Sequence, residues 1–289
     1  MSLENLEVLS EHRCFEGVQR FYRHDSRETG LPMRFSVFEP PQAAQGRVPV
    51  LVYLAGLTCT EETFMIKGGA QRLAARLGIM LLAPDTSPRG AGLDGEDDDW
   101  DFGTGAGFYL DATEEPWSKH YRMESYIVRE LLPAATSVLP GDVRRVGIFG
   151  HSMGGHGALT LALRHRAVFR SVSAFAPIAA AARCPWGEKA FSRYIGDDRQ
   201  SWADYDASLL MERTDCPFPE GILVDQGLAD GFLDTQLHPE AFETACSQAG
   251  QPLLLRRHAG YDHGYYFIST FMEDHLEFHA ERLACDRPT

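Results

Sequence analysis

The sequence has no basic excess, no long apolar run and no closely spaced cysteines. Its 27 Lys and Arg stand against 41 Asp and Glu, a formal charge of -14. The basic footprint that neutralises phosphates is therefore missing, and neither nucleic acid nor an anionic membrane surface is an expected partner. The longest apolar stretches, such as VPVLVYLAGL from Val48, reach about half of the roughly 20 residues that a membrane-spanning helix needs. The opening MSLENLEVLSEHRC is mixed and acidic, without the basic and then apolar order of a secretory signal. Cys14, Cys59, Cys184, Cys216, Cys246 and Cys285 are scattered with no CxxC pair, which argues against a disulfide framework. The expectation is a cytoplasmic protein with reduced thiols, no bound metal and no cofactor.

What is present is an ordinary globular composition, 289 residues of which 44% are hydrophobic. FEGVQRFYRH and MRFSVFEP alternate apolar and polar residues, the period of strands with one buried face, and predict an antiparallel opening pair. The pattern then changes to continuous apolar runs, VPVLVYL, GIMLLAP, RVGIFG, RSVSAFAP, EGILVDQG and PLLLRRH, as in strands buried on both faces. Helical periodicity separates them in EETFMIKGGAQRLAARLG, YRMESYIVRELLPAATSVL, GHGALTLALRHR and HPEAFETACSQAG, and closes the chain in FISTFMEDHLEFHAERLA. Alternating strands and helices predict a mostly parallel sheet covered on both faces, with ligands beyond the carboxyl ends of its strands. No repeat or linker divides the chain, so a single domain over residues 1–289 is expected. One connection, at about 84–120, lacks sustained periodicity. Loops of that length inside a compact domain are usually functional or disordered, and its Trp100, Phe102, Phe108, Tyr109 and Trp117 favour an ordered loop with a small core of its own.

The sharpest chemical signal is GxSxG, here Gly150, His151, Ser152, Met153 and Gly154. A buried-type strand enters it and a helix leaves it, the setting in which a tight turn lifts a serine above the sheet edge. The Met153 amide then sits at a helix N-terminus, where it can donate to an oxyanion. A serine hydroxyl needs a histidine to take its proton and a carboxylate to hold that histidine. Beyond the strand GILVDQG lie Asp225, Asp230 and Asp234. Asp225 falls inside the strand and reads as a structural hydrogen-bond acceptor, whereas Asp230 lies on the loop past its end and is chosen as the acid. For the base, loop placement favours His263, with His258 at the strand end as the alternative. His275 and His279 are four residues apart but lack the HExxH glutamate, so an exposed helix face is expected rather than zinc. His151 and His156 flank the turn and are assigned a lining or hydrogen-bonding role. The second oxyanion donor should follow VPVLVYL, where Gly56 permits a sharp turn and the Leu57 amide can face the site. Thr60 with Glu61 looks like a helix start, which places Cys59 beside that loop as a small packing residue.

LAGLTCTEETF, APDTSPRG, DDDWDFGTGAGFYLDAT, WSKHYRMESYI, GHSMGGHGAL, PWGEKAF, DQGLADGFL and GYDHGYYFI together make the sequence resemble the S-formylglutathione hydrolase, or esterase D, family of serine hydrolases over nearly its whole length. The resemblance implies an α/β-hydrolase fold, Ser152 as nucleophile, Asp230 as acid, His263 as base, and Leu57 with Met153 as the oxyanion hole. It also implies cleavage of S-formylglutathione to glutathione and formate through a formyl-serine intermediate, hydrolysis of short acyl esters, and a homodimer. LAGLTC stands where LSGLTC is common in the family, and YDHG where YDHS is common, which bears on fine substrate preference. Bulky groups on the acyl side are expected from Trp100 and Trp186, with Cys59 near the substrate. Lys67, Lys119 and Lys189 are candidates for offsetting the negative charge of glutathione. The alternatives are a general short-chain carboxylesterase and a catalytically silent binding module of the same fold.

Overall fold

A computed structural model describes residues 3–284; Cys285 lies outside them. Nine strands form one sheet: β1 (Glu4–Cys14), β2 (Gly17–Asp25), β3 (Pro32–Glu39), β4 (Val48–Leu54), β5 (Met80–Pro84), β6 (Gly141–His151), β7 (Ser171–Phe175), β8 (Ile222–Gly227) and β9 (Leu253–His258). Their spatial order is β1-β2-β3-β5-β4-β6-β7-β8-β9. The first three run antiparallel, as does β3 against β5. The remaining pairs are parallel. The helices are α1 (Glu61–Lys67), α2 (Gln71–Leu77), α3 (Met123–Ser125), α4 (Leu132–Val138), α5 (Met153–Arg164), α6 (Pro185–Ile195), α7 (Arg199–Trp202), α8 (Ala207–Glu212), α9 (Pro239–Gln248) and α10 (Tyr265–Ala284), with π-wound turns at Tyr126–Leu131 and Leu233–Leu237. This is the expected α/β-hydrolase fold, and the six apolar runs are its strands β4 to β9.

Several details differ from the expectation. β1 is an additional edge strand, almost wholly exposed, so it carries no alternating apolar signature. β9, expected to be buried on both faces, is the opposite edge and is only partly covered. The periodic stretch from Glu61 is two helices, broken where the chain passes through Gly68 and the left-handed Gly69. In the long connection Phe102, Phe108, Tyr109 and Trp117 are buried as expected, but Trp100 is 58% exposed and belongs to no core. His275 and His279 do not lie on an exposed face. Both are fully buried where α10 crosses the sheet. His279 bonds the hydroxyls of Ser171 and Ser173 at 2.6 and 2.8 Å, and His275 bonds Ser173 at 2.8 Å and Asp225 at 3.2 Å. Burying imidazoles is tolerable because these partners replace water.

Candidate active site

β6 ends at His151, and the chain reverses through Ser152 into α5. Ser152 has φ 57° and ψ -119°, a strained conformation for a residue with a Cβ, costing on the order of 1–3 kcal/mol. The surroundings hold it there: its amide donates to Phe175 O at 3.0 Å, and its carbonyl accepts from His156 N and Ile178 N. Glycine is required at both ends of the pentapeptide. A Cβ at Gly150 would lie 2.1 Å from the Gly154 carbonyl oxygen, and one at Gly154 would lie 1.9 Å from Leu54 O. Met153 is the first residue of α5, so its amide has no partner within the helix and points with the positive end of the helix dipole.

β8 and β9 deliver the carboxylate and the imidazole. Their following loops are joined by Leu228 N to His258 O and Ala229 N to Tyr261 O, both 2.9 Å, and by the tight fit of Gly227 under Tyr261 and Asp262. Asp230 Oδ2 lies 2.6 Å from His263 Nδ1, while Asp230 Oδ1 accepts from Phe232 N at 2.9 Å and Oδ2 from Gln226 Nε2 at 3.3 Å. Asp225 has other partners: it is fully buried and accepts from Arg256 Nε and Nη2 at 2.6 and 2.5 Å and from His275. Burial alone would raise its pKa, but the hydrogen bonds from His275 and Arg256 outweigh that and hold it well below the usual carboxylate range. His258 faces Asp225 at 3.2 Å and stacks on Phe271. Asp234 is exposed in the π-wound turn.

Ser152 and His263 open onto one pocket of about 130 Å³, lined also by Gly56, Leu57, Cys59, Trp100, His151, Trp186, Phe232 and Tyr265. Leu57, Cys59, Trp100 and Trp186, proposed from sequence, therefore converge on the same cavity. Phe232, Tyr265 and the packing of His151 on His263 at 4.4 Å between ring centroids are not singled out by the sequence patterns, although DGF and DHGYY carry these aromatics beside Asp230 and His263. Burial first, and then the neighbouring His263, push the His151 pKa well below its ordinary value, so it stays neutral beside His263. His156 is likewise buried and held neutral, its pKa lowered to about 4 by burial. It packs against Phe108 and Phe191 outside the pocket. Trp186 stands between Trp100 and Phe232, at 5.6 and 4.8 Å, and Phe232 reaches the His263 ring at 5.1 Å.

The loop carrying Leu57 is tied down by the 84–120 connection. Thr58 N donates to Gly105 O at 2.9 Å, Tyr109 Oη to Ala55 O at 2.8 Å, and Thr86 Oγ1 and Arg89 Nη2 to Cys59 O at 2.6 and 3.1 Å. Thr60 caps α1 as expected. Burial pushes the Cys59 thiol up, against hydrogen bonding from Thr63 and Tyr265 and the nearby charge of Lys67. Of the lysine candidates, Lys67 is exposed with its ammonium 5.9 Å from the Tyr265 ring centre, Lys119 is exposed in a short turn outside the lining, and Lys189 is paired with Asp99 and Asp101. Among the described residues no three or more His, Cys, Asp or Glu are grouped to hold a metal, and no helix is long and apolar enough to cross a membrane.

Known proteins resemble this chain over nearly its whole length. Residues 26–278 match the Esterase family model, described as "Putative esterase". The chain is 49% identical over 279 residues to S-formylglutathione hydrolase of Rattus norvegicus, covering 96% of this chain and 99% of the relative. It is 50% identical over 277 residues to the enzyme of that name from Paracoccus denitrificans, covering 96% and 98%. A solved S-formylglutathione hydrolase from Agrobacterium tumefaciens superposes with a TM-score of 0.93 at 49% identity, covering 96% of this chain and 99% of that one.

Proposed function

Because the chain belongs to the Esterase family, and within it to the S-formylglutathione hydrolases, we propose that it hydrolyses S-formylglutathione to glutathione and formate with Ser152 as nucleophile, His263 as base and Asp230 as orienting carboxylate. The carrying observation is the 2.6 Å contact of Asp230 with His263 at the pocket that also holds the strained Ser152. Ser152 Oγ attacks the thioester carbonyl as its proton passes to His263. The amides of Leu57 and Met153 stabilise the oxyanion; losing one such donor typically costs about 100- to 1,000-fold in rate. The carbon–sulfur bond then breaks, and the glutathione sulfur leaves, with the His263 proton available to it. Water, deprotonated by His263, attacks the formyl ester and releases formate, returning the proton to Ser152.

Size supports a short acyl group. A pocket of about 130 Å³ is well below the roughly 300–1,000 Å³ of sites that enclose drug-sized ligands. A formyl thioester fits inside while the tripeptide lies across the mouth, with Trp100 and Trp186 on the acyl side, Cys59 beside the oxyanion loop, and Lys67 as the cation left to meet a glutathione carboxylate. The residues from 1 to 289 act as one α/β-hydrolase domain. The five described cysteines are all unpaired, which supports a cytoplasmic setting, and the family likeness supports a homodimer, which sedimentation equilibrium would distinguish from a monomer.

The deciding experiment follows loss of thioester absorbance for S-formylglutathione beside S-acetylglutathione and short nitrophenyl esters, with Ser152→Ala as control. A large formyl preference that disappears in the variant is expected. Equal or faster turnover of oxygen esters would make this a general short-chain carboxylesterase. No turnover of any ester would leave a binding module, and activity surviving Ser152→Ala would overturn the nucleophile.

A further inference from the structure

Asp99, Trp100, Asp101 and Phe102 alternate acid and aromatic, and α6 presents Trp186, Lys189 and Arg193 to them from positions three and seven residues apart, one face of a helix. Lys189 Nζ lies 2.5 Å from Asp101 Oδ1 and 3.0 Å from Asp99 Oδ2. Arg193 Nη1 lies 3.2 Å from the same Asp99 oxygen, with its guanidinium 4.7 Å from the Phe102 ring centre. Phe102 is buried and stacks on Tyr194 at 4.5 Å. The chain is thus pinned on both sides of Trp100. Trp100 itself is 58% exposed and meets Trp186 edge-on. A side chain with so much of its surface in water is not fixed by burial alone, which leaves the Trp186 contact and the paired carboxylates on either side to hold it.

We infer that Lys189, through its ion pairs with Asp99 and Asp101, clamps Trp100 against the acyl side of the pocket and thereby limits the size of the acyl group accepted. Lys189 is a positioning residue and not a contact for glutathione, because its ammonium is already shared by two carboxylates. The Lys189 and Asp101 side chains are 25% and 15% exposed, open enough to water for salt to weaken the pair.

The inference rests on the proposed placement of Trp100 at the acyl side, and the test separates the two. Lys189→Met, Asp101→Asn, their combination and Trp100→Ala are compared by kcat/KM for formyl and butyryl thioesters of glutathione and for the matching nitrophenyl esters. Lys189→Met should raise the butyryl-to-formyl ratio about two- to fivefold, the range open to a partly exposed pair. Asp101→Asn should match it, and the double variant should go no further. Raising salt from about 0.05 to about 0.5 M should move the parent ratio the same way and leave Lys189→Met unchanged. An unchanged ratio in Lys189→Met, with Trp100→Ala altering it, overturns the clamp alone. An unchanged ratio in Trp100→Ala overturns the acyl-side placement as well. An equal rise in KM for both glutathione thioesters, absent with nitrophenyl esters, overturns the clamp in favour of direct glutathione contact.

Discussion

Asp225→Asn and Asp230→Asn should separate stability from chemistry, although both aspartates are buried and both face histidines. Asp225 accepts from Arg256 at 2.6 and 2.5 Å and from His275 at 3.2 Å, so replacing it strands a partly buried guanidinium. Breaking a buried pair costs about 3–5 kcal/mol. Arg256 keeps Asp274 at 2.6 Å and is 27% exposed, which puts the cost near the lower end, about 3 kcal/mol. At about 2 °C per kcal/mol for a chain of this size, Tm falls by about 6 °C. The pH dependence has a definite sign. The folded-state pKa lies below the unfolded value, so the stabilisation is complete at neutral pH and is lost as pH falls from about 4 through the folded value. The Tm gap between parent and Asp225→Asn should therefore narrow in acid. Asp230→Asn removes the acceptor that orients His263 and leaves no guanidinium stranded. Its kcat should drop by about 10⁴, with Tm shifted by no more than about 2 °C. Thermal melts and thioester assays on the two variants decide the matter. If Asp225→Asn abolishes turnover at parental Tm while Asp230→Asn remains active, the reasoning fails and the acid belongs with His258.

The remaining expectations are briefer. His263→Ala should remove nearly all turnover and His258→Ala should keep most of it, measured by kcat; the reverse would move the base to the β9 end. Gly154→Ala places a Cβ within 1.9 Å of Leu54 O and 2.6 Å of Ala55 O, backbone atoms that cannot yield. It should cost more than about 3 kcal/mol, read from a melt, and a soluble variant with parental Tm would refute the steric argument. Alkylating Cys59 should slow hydrolysis by crowding the oxyanion loop, faster as pH rises because burial pushes its thiol up. Equal inactivation of Cys59→Ser would assign the effect to another thiol.

The strands β4 to β8 were legible because a strand buried on both faces writes its position as an unbroken apolar run. β1 was not, since a strand exposed on both faces needs no apolar pattern and owes its place to pairing with β2. Ser152, Asp230 and His263 could be chosen from local order alone: strand, turn and helix for the first, loops past strand ends for the others. His275 and His279 were misread because their partners Ser171 and Ser173 are more than 100 residues away, and helical spacing carries no record of them. Phe232 and Tyr265 were passed over for a related reason. An aromatic near a site looks like core until the cavity it lines is known.

Oxyanion stabilisation depends on donors fixed before charge develops, since reorganising them during the reaction would forfeit the gain. In the proposed mechanism Met153 meets that condition through α5, whose first turn is locked by the close contact of Gly154 with Leu54. Leu57 has no helix to hold it. It lies between the ends of β4 and α1, in a loop whose next residue, Thr58, has φ 67°. Four hydrogen bonds from the 84–120 connection reach the stretch from Ala55 to Cys59, and a Cβ at Gly105 would come within 3.1 Å of Thr58 Cα. The same connection carries Trp100 into the lining of the pocket. Under the proposed mechanism its length has a use: one segment braces the loop that carries the Leu57 amide and also supplies Trp100 to the pocket lining.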